Sequence, residues 1–181
     1  MFWNVQCKAL LSPFRINHVQ LKNRIVKSPQ ASGNATSDGA PTEGTLAYYG
    51  GLAKGGVGLI IVEGAAVDYP LGVVGWPRLG IQDDKFIPLY AELTNHIHSY
   101  GAKTFLEIQH AGPSHPKAMA GLQPVAPSVL PDDEKPVQTF DTPKALTIAE
   151  IENTQLQFVR AAERAQEAGF DGIDLHGLIG I

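Results

Sequence analysis

The stretch GGVGLIIVEG, residues 55–64, contains the longest strongly apolar run of the 181-residue chain. This run, residues 57–62, follows two glycines and ends at Glu63. Short aliphatic runs with such boundaries are typical of buried β-strands. A membrane-spanning helix needs about 20 apolar residues. The run therefore predicts a strand in a protein core, and we expect no membrane-spanning segment.

Three more short apolar runs have the same character, namely residues 24–26, 103–108 and 172–175. Segments of helical character separate the four runs. The clearest begins at Thr147, because Glu150 completes a capping box three residues later, and it ends before Gly169. Two further helices are predicted, over residues 42–54 and 83–101.

The alternation of strands and helices predicts an α/β fold. Continuous apolar strands that alternate with amphipathic helices pair in parallel, and the helices pack outside the sheet. Ahead of the first parallel strand, residues 14–16 and 19–21 flank Asn17 and His18, which predicts a small hairpin. The chain is expected to form half of a repeating βα architecture.

The composition is that of a globular domain, with 44% hydrophobic residues, 18% charged residues and a net charge of −4 at pH 7. One domain is expected over residues 1–181, since about 150 residues per domain is usual. Scattered Lys and Arg give no footprint for nucleic acid, which is not an expected partner. The single cysteine, Cys7, fits a reducing compartment. Residues 1–11 lack the features of a signal peptide, so the cytoplasm is the expected location.

Common phosphate-binding and nucleophile motifs are absent from the sequence. No Gly-x-Gly-x-x-Gly, Gly-Lys-Ser/Thr or Gly-x-Ser-x-Gly pattern occurs. His96 and His98 lie two residues apart on a predicted helix and point in different directions. His110 and His115 have no cysteine or carboxylate at ligand spacing. A metal site is therefore not expected.

The connection over residues 112–143 interrupts the regular alternation and contains proline repeatedly. It predicts a long loop that leaves the carboxyl end of the third strand, where α/β folds bind ligands. The alternative is a disordered insertion, which the acidic cluster over residues 132–134 favours.

Polar or conformationally unusual residues stand at the ends of all four predicted strands. They are Ser28, Pro29, Gln30 and Ala31 for the first strand, Glu63 and Gly64 for the second, residues 107–112 for the third, and His176 and Gly177 for the fourth. In a parallel α/β sheet these ends converge on one face. Their coincidence predicts a ligand site at this edge of the sheet.

These residues belong to motifs that resemble the old yellow enzyme family of flavin-dependent ene-reductases. The motifs are LKNRIV (21–26), DGAPT (38–42), GGVGLIIVEG (55–64), HAG (110–112), APS (126–128) and AGFDGIDLHG (168–177). From about Leu11 to the end of the chain, they keep the order and spacing of that family.

The resemblance implies a (β/α)8 TIM barrel, of which this chain contains an N-terminal hairpin and about the first four βα units. It also implies FMN at the carboxyl ends of the strands, with NADH or NADPH as the electron donor. The implied reaction is hydride transfer from reduced flavin to an activated alkene, which is a small-molecule substrate.

The resemblance also implies roles for individual residues. The expected FMN-binding residues are Ser28, Pro29, Gln30 and Ala31 on the first strand end, Gly64 on the second and Glu107 on the third. His176 is the expected catalytic residue, since it matches the first histidine of the family's substrate pair. Donors at that pair hold the oxygen of the electron-withdrawing group and stabilise its developing negative charge.

Three positions depart from the family pattern. Glu107 stands in place of the usual glutamine, and Pro113 stands in place of a common arginine. Ile179 stands where the second member of the substrate pair is expected, and its aliphatic side chain cannot donate a hydrogen bond.

A TIM barrel usually needs about 250 residues. The resemblance therefore predicts that this chain is the N-terminal half of such an enzyme, truncated and incomplete, which holds FMN weakly if at all. The alternative is a non-catalytic half-barrel that persists by self-association through its open sheet edges. A yellow protein would support the enzyme, and a colourless oligomer would support the alternative.

Overall fold

A computed structural model describes residues 7–75, 77–129 and 141–177 of the chain. In chain order its elements are β1 (Phe14–Ile16), β2 (Val19–Leu21), β3 (Val26–Lys27), α1 (Glu43–Lys54), β4 (Leu59–Ala66), α2 (Ile87–His98), β5 (Lys103–Gln109), α3 (Lys117–Ala120), β6 (Val125–Ala126), β7 (Lys144–Ala145), α4 (Ile148–Glu167) and β8 (Gly172–Leu175). Short 3-10 helices precede α2 and α3, at Asp84–Phe86 and Gly112–Ser114.

The central sheet is parallel, with the strand order β3-β4-β5-β8. In the pairing of β4 with β5, Ile61 lies opposite Phe105 and Val62 lies opposite Leu106. Within the described ranges, β3 pairs only with β4 and β8 pairs only with β5, so both outer edges lack a neighbouring strand. The predicted α/β class with parallel βα units is confirmed.

Helices α1, α2 and α4 pack against the sheet and against one another. The core between the helices and the sheet includes Ile60 and Val62 of β4, Leu106 of β5, and Leu93 and Ile97 of α2, all fully buried. Alternate residues along a strand point to opposite faces. The helix-facing side of the sheet is therefore the apolar side on which the domain folds.

The predicted capping box of α4 is confirmed. Thr147 is the N-cap, and its hydroxyl oxygen accepts a hydrogen bond from the Glu150 backbone N–H at 3.3 Å. The Glu150 carboxylate accepts one from the Thr147 backbone N–H at 2.8 Å. Gly169 has φ +87° just beyond the helix, a backbone conformation that glycine adopts without strain.

The predicted hairpin is also confirmed, as β1 and β2 pair antiparallel. Val19 and Leu21 of β2 pack against Leu59 at the start of β4. Ile61 and Phe105, which point away from the helices, contact the same cluster. The hairpin therefore covers the amino-terminal end of the inner face of the sheet.

The bounds of β3 and β4 differ from the sequence prediction. β3 is Val26–Lys27, although the Ile25 carbonyl oxygen already accepts hydrogen bonds from the backbone N–H groups of Gly58 and Leu59. β4 continues past Glu63 to Ala66, because it keeps pairing with β5 after an irregularity between Val62 and Ala65.

The predicted long loop contains regular structure. A 3-10 helix, the short α3 and the parallel pair of β6 with β7 lie within residues 112–145. The acidic cluster over residues 132–134 lies outside the described residues.

Among the described residues, no helix is long and apolar enough to cross a bilayer.

Asp171 joins three elements at the amino-terminal end of the sheet. Its carboxylate accepts hydrogen bonds from His98 at the end of α2 (2.7 Å), from the Lys103 ammonium (2.7 Å) and from the Thr104 backbone N–H (2.9 Å). Burial acts to raise the pKa of this carboxyl, but the hydrogen bonds from Lys103, Thr104 and His98 outweigh burial and lower it.

We expect Asp171→Asn to destabilise the fold in a pH-dependent way. Because the pKa of Asp171 is lower in the folded chain, its contribution is present above the unfolded pKa and is lost as the pH falls through the folded pKa. The variant should lose about 1–3 kcal/mol of unfolding free energy at neutral pH, and it should show a weaker acid dependence in urea titrations. The control is Asp84→Asn, since Asp84 is exposed and pairs with Arg164. Equal losses at both positions would contradict this role.

Candidate functional site

The carboxyl ends of the four parallel strands lie side by side, and side-chain contacts join them in order. Ser32, beyond β3, hydrogen-bonds Glu63 of β4. Gly64, the next residue of β4, lies against Glu107 of β5. Glu107 in turn hydrogen-bonds His176, which directly follows β8. The contacts therefore form a continuous set across all four strand ends.

Glu63 is a carboxylate that is only 1% exposed. It accepts hydrogen bonds from the Ser32 backbone N–H (3.0 Å) and hydroxyl (2.5 Å), and from the Tyr49 hydroxyl (3.3 Å) of α1. The Glu63 backbone N–H donates to the same Tyr49 oxygen at 2.9 Å. Burial, followed by the charge of Glu63, raises the pKa of Tyr49 far above its ordinary value, so the hydroxyl keeps its proton. These contacts fix the end of β4.

Glu107 and His176 form a carboxylate–imidazole pair, with 2.7 Å between Glu107 Oε1 and His176 Nδ1. Burial raises the pKa of the Glu107 carboxyl, although the hydrogen bond from His176 opposes this shift. Asp174, opposite Glu107 in the register of β5 and β8, raises the pKa further. The pair can therefore share a proton between Glu107 Oε1 and His176 Nδ1.

Gly64 allows a close approach between β4 and β5. A Cβ atom at this position would lie 2.6 Å from Gln109 Cδ and 2.9 Å from Glu107 Oε2. The Gly64 backbone N–H also acts on Glu107, whose pKa it lowers. The absence of a side chain at Gly64 therefore lets the Gln109 and Glu107 side chains pack directly against the backbone of β4.

Lys27, the last residue of β3, provides the cation of the site. Burial lowers the pKa of its ammonium group, while the charges of Glu63 and Glu107 act in the opposite direction. Its Nζ donates to the Ser28 carbonyl oxygen. The positive charge therefore lies close enough to both carboxylates to interact with them.

The segment after β3 continues beyond the paired residues of the sheet. Ser28, Gln30 and Ala31 are exposed in it, and Pro29 is half-buried. Its surface can contact a ligand at the strand ends.

His176 Nε2 is buried and has no hydrogen-bond partner among the residues that the structure describes. Buried polar atoms in proteins nearly always have a partner. Nε2 is therefore the ring nitrogen of His176 that is left to form a hydrogen bond with a ligand.

Two other histidines, His110 and His115, form hydrogen bonds in the segment that follows β5. His110 Nδ1 accepts a hydrogen bond from the Gly112 backbone N–H at 2.9 Å, and its Nε2 lies 3.9 Å from Asp68. The nearby His110 lowers the pKa of the Asp68 carboxyl. His115 is fully buried, with Nδ1 2.9 Å from the Val73 carbonyl oxygen. In the described part of the chain, no three potential ligands from His, Cys, Asp and Glu cluster as a metal site would require.

The structure brings together several residues of the predicted site. Gly64, Glu107 and His176 are in contact, and residues 28–31 lie at the neighbouring strand end. Pro113 is buried in a 3-10 helix. Ile179 lies outside the described residues. The roles of these residues towards FMN remain predictions.

Three residues of the site were missed by the sequence reasoning: Lys27, Ser32 and Asp174. Asp174 had a usable signal, since it is two residues before His176 at the end of the same predicted strand. Residues two apart on a strand share a face. Ser32 had no such signal because it lies beyond β3.

Parallel βα units whose polar side chains meet at the carboxyl ends of the strands are the arrangement found in α/β barrels. The model of the NADH:flavin oxidoreductase / NADH oxidase family matches residues 9–180. The chain belongs to this family, and its predicted relation to the old yellow enzymes is confirmed. The oxidoreductase class and the expected cofactors, FMN with a nicotinamide donor, are those of the family.

Three relatives illustrate the similarity. The NADH oxidase of Thermoanaerobacter brockii is 46% identical over 172 residues, which cover 94% of this chain and 26% of the relative. The solved old yellow enzyme homologue from Zymomonas mobilis shares 34% identity with a TM-score of 0.80, over 93% of this chain and 48% of that one. A morphinone reductase variant in complex with tetrahydroNAD shares 28% identity with a TM-score of 0.80, over 93% and 49%. The chain thus spans about a quarter of the first relative and about half of each solved structure.

We expect Gly64→Ala to disturb the site more than the fold. The new methyl group would meet the ends of the flexible Gln109 and Glu107 side chains, which can move, so the loss of unfolding free energy should stay below about 1 kcal/mol. The imidazole NMR signals of His176 should shift.

The matched control is Gly58→Ala, whose Cβ would lie 2.5 Å from the Asn23 carbonyl oxygen. A backbone carbonyl group cannot move away as easily as the end of a side chain. This variant should therefore lose about 1–3 kcal/mol of unfolding free energy in urea titrations. A larger loss for Gly64→Ala than for Gly58→Ala would refute this interpretation of Gly64.

Proposed function

We propose that the chain carries flavin-facing strand ends of an FMN-dependent NAD(P)H oxidoreductase of the ene-reductase type. The observation that supports this proposal is the continuous set of contacts from Ser32 through Glu63, Gly64 and Glu107 to His176. Membership of the flavin oxidoreductase family supports the class of reaction. The proposed substrate is a small activated alkene.

In this proposal the strand ends offer a flat surface to a ring system, because Gly64 has no side chain and the Gln109 and Glu107 side chains pack against the backbone there. The segment after β3 is exposed at the neighbouring strand end. The proposed FMN-binding residues are Ser28, Pro29, Gln30, Ala31, Gly64 and Glu107. When bound, FMN supplies the transfer of an electron pair from NADH or NADPH to the alkene as hydride.

In this proposal His176 orients the substrate. Its Nδ1 is engaged by Glu107, so only Nε2 remains to meet the oxygen of the electron-withdrawing group. A donor at Nε2 stabilises the negative charge that develops on that oxygen. Ser32 and Tyr49 hold the end of β4 in place, which keeps the neighbouring surface rigid.

The cytoplasm remains the proposed location, on the basis of the single cysteine, Cys7.

We expect FMN, added to the 181-residue chain at up to about 1 mM, to shift the amide NMR signals of Gln30, Ala31 and Gly64. His176→Ala should keep these shifts and weaken the binding of a simple phenol about tenfold or more, since a charge-assisted hydrogen bond is lost. Flavin absorbance would report phenol binding.

His18→Ala is the matched control, because His18 is exposed on the hairpin. It should change neither FMN binding nor phenol binding. The absence of FMN-induced shifts at the strand ends, or full phenol affinity in His176→Ala, would contradict the proposal.

We expect the 181-residue chain on its own not to sustain turnover. Within the described residues β3 and β8 each have one neighbouring strand, so both outer edges of the sheet are open to water. Water therefore competes with the chain for hydrogen bonds to the ligand. Anaerobic mixing with FMN, NADPH and a simple enone, followed by flavin absorbance, is the measurement. Stoichiometric flavin retention with steady reduction of the enone would overturn this expectation.

A second candidate function is a non-catalytic half-barrel that self-associates. Exposed apolar side chains on α4 and β8 favour this alternative, since Ile148 is 72% exposed, Val159 52% and Leu175 67%. Light scattering after gel filtration separates the two functions. A colourless oligomer that does not bind FMN would support the alternative. A monomer in which FMN shifts the amide NMR signals of the strand-end residues would exclude it.

A further inference from the structure

We propose that Glu107 is a positioning residue for His176. Its carboxylate holds the Nδ1 proton, so the neutral ring presents a lone pair at Nε2, and Nε2 becomes a donor only after the pair has gained one more proton. The tautomer follows from the geometry of the pair. Its consequence for a ligand rests on the proposed function.

The orientation of the pair is set by the backbone. The His176 backbone N–H donates to the Ile108 carbonyl oxygen at 3.1 Å, and Glu107 lies opposite Asp174 in the register of β5 and β8. These contacts direct Nδ1 towards Glu107 Oε1, 2.7 Å away. Nε2 is left buried and without a partner among the described residues. Nδ1 is therefore committed to Glu107, and Nε2 is the nitrogen that can bind a ligand.

The number of protons on the pair decides what Nε2 can do. An ionised carboxylate only accepts hydrogen bonds, so a single proton on the pair lies on Nδ1, where it avoids two facing lone pairs. With two protons, either the ring is an imidazolium, or a protonated Glu107 donates to Nδ1. Nε2 carries a hydrogen in both cases. The donor at Nε2 therefore depends on the proton count of the pair and not on how the protons are divided.

Charged groups from three strands face the pair. Asp174 of β8 favours uptake of the second proton, as burial of Glu107 does, because both raise the pKa of that carboxyl. Lys27 of β3 interacts with Glu107 and with Glu63 of β4, and its positive charge opposes uptake. The Gly64 backbone N–H opposes it as well.

At any pH at which the ligand-free Glu107–His176 pair holds only one proton, ligand binding is therefore accompanied by the uptake of a second proton. The proton comes from solvent and stays on the pair, and Nε2–H then meets the ligand oxygen. A glutamine at position 107 needs no such uptake, because its amide N–H can donate to Nδ1 and leave Nε2–H on a neutral ring.

Imidazole 15N spectra of the chain test the tautomer without cofactor or ligand. Two-bond 1H–15N correlations at mildly alkaline pH show which ring nitrogen carries the hydrogen. We expect the Nδ1–H pattern for His176. His98 is the internal control, because its Nε2 lies 2.7 Å from Asp171 and should carry the hydrogen there. An Nε2–H pattern for neutral His176 would overturn the proposal.

Two variants separate positioning from general structure. Glu107→Ala should return His176 to mixed tautomers and leave His98 unchanged, and Asp171→Asn should do the reverse. An unchanged His176 pattern in Glu107→Ala would overturn the proposal. If Glu107→Ala does not fold, the wild-type spectrum still decides the tautomer.

Phenolate binding to the FMN-saturated chain tests the consequence. With a phenol that is ionised throughout the pH range, wild-type affinity should fall tenfold per pH unit once the free pair holds one proton. Glu107→Gln should bind phenolate with an affinity that does not depend on pH in this way. A pH dependence that persists in Glu107→Gln, or that is absent from the wild type, would overturn proton uptake. If the Nδ1–H pattern is present but no variant binds phenolate, the proposed function fails and the tautomer stands.

Discussion

The parallel pairing of β4 with β5 is the constraint on which the other features depend. On one face these strands provide Ile60, Val62 and Leu106 to the core under the helices, and on the other face Ile61 and Phe105 meet the hairpin. Once this pair is fixed, β3 and β8 can add only at its two sides. Because all four strands run in the same direction, their carboxyl ends meet at one edge.

That edge carries two carboxylates in different surroundings. Glu63 is held by hydroxyl and backbone N–H groups, which keep the same charge across the usual pH range. Glu107 is held by an imidazole, which can gain or lose a proton. In the proposal made above, adjacent strands thus provide one fixed anchor, Glu63, and one pair, Glu107 with His176, whose number of protons changes when a ligand binds.

The local patterns of the sequence were sufficient for most of the fold. The Thr147–Glu150 box, the aliphatic runs and Gly169 each act over a few residues, so a single stretch of sequence reveals them. The Glu107–His176 contact depends on the register between strands that are 69 residues apart in sequence, which composition and periodicity do not encode. The extension of β4 through Gly64 was missed for a similar reason, since the polar Glu63 interrupts the apolar run while the backbone pairing continues.

Tyr49 connects the outside of the domain to the strand ends. It belongs to α1, on the helix side of the sheet, yet its hydroxyl contacts both the backbone and the carboxylate of Glu63. Its ring also packs edge-to-face on Tyr48, with ring centroids 5.0 Å apart. Substitutions along α1 can therefore shift the strand ends from the opposite face of the sheet, because they reposition one phenol and leave the residues at the strand ends unchanged.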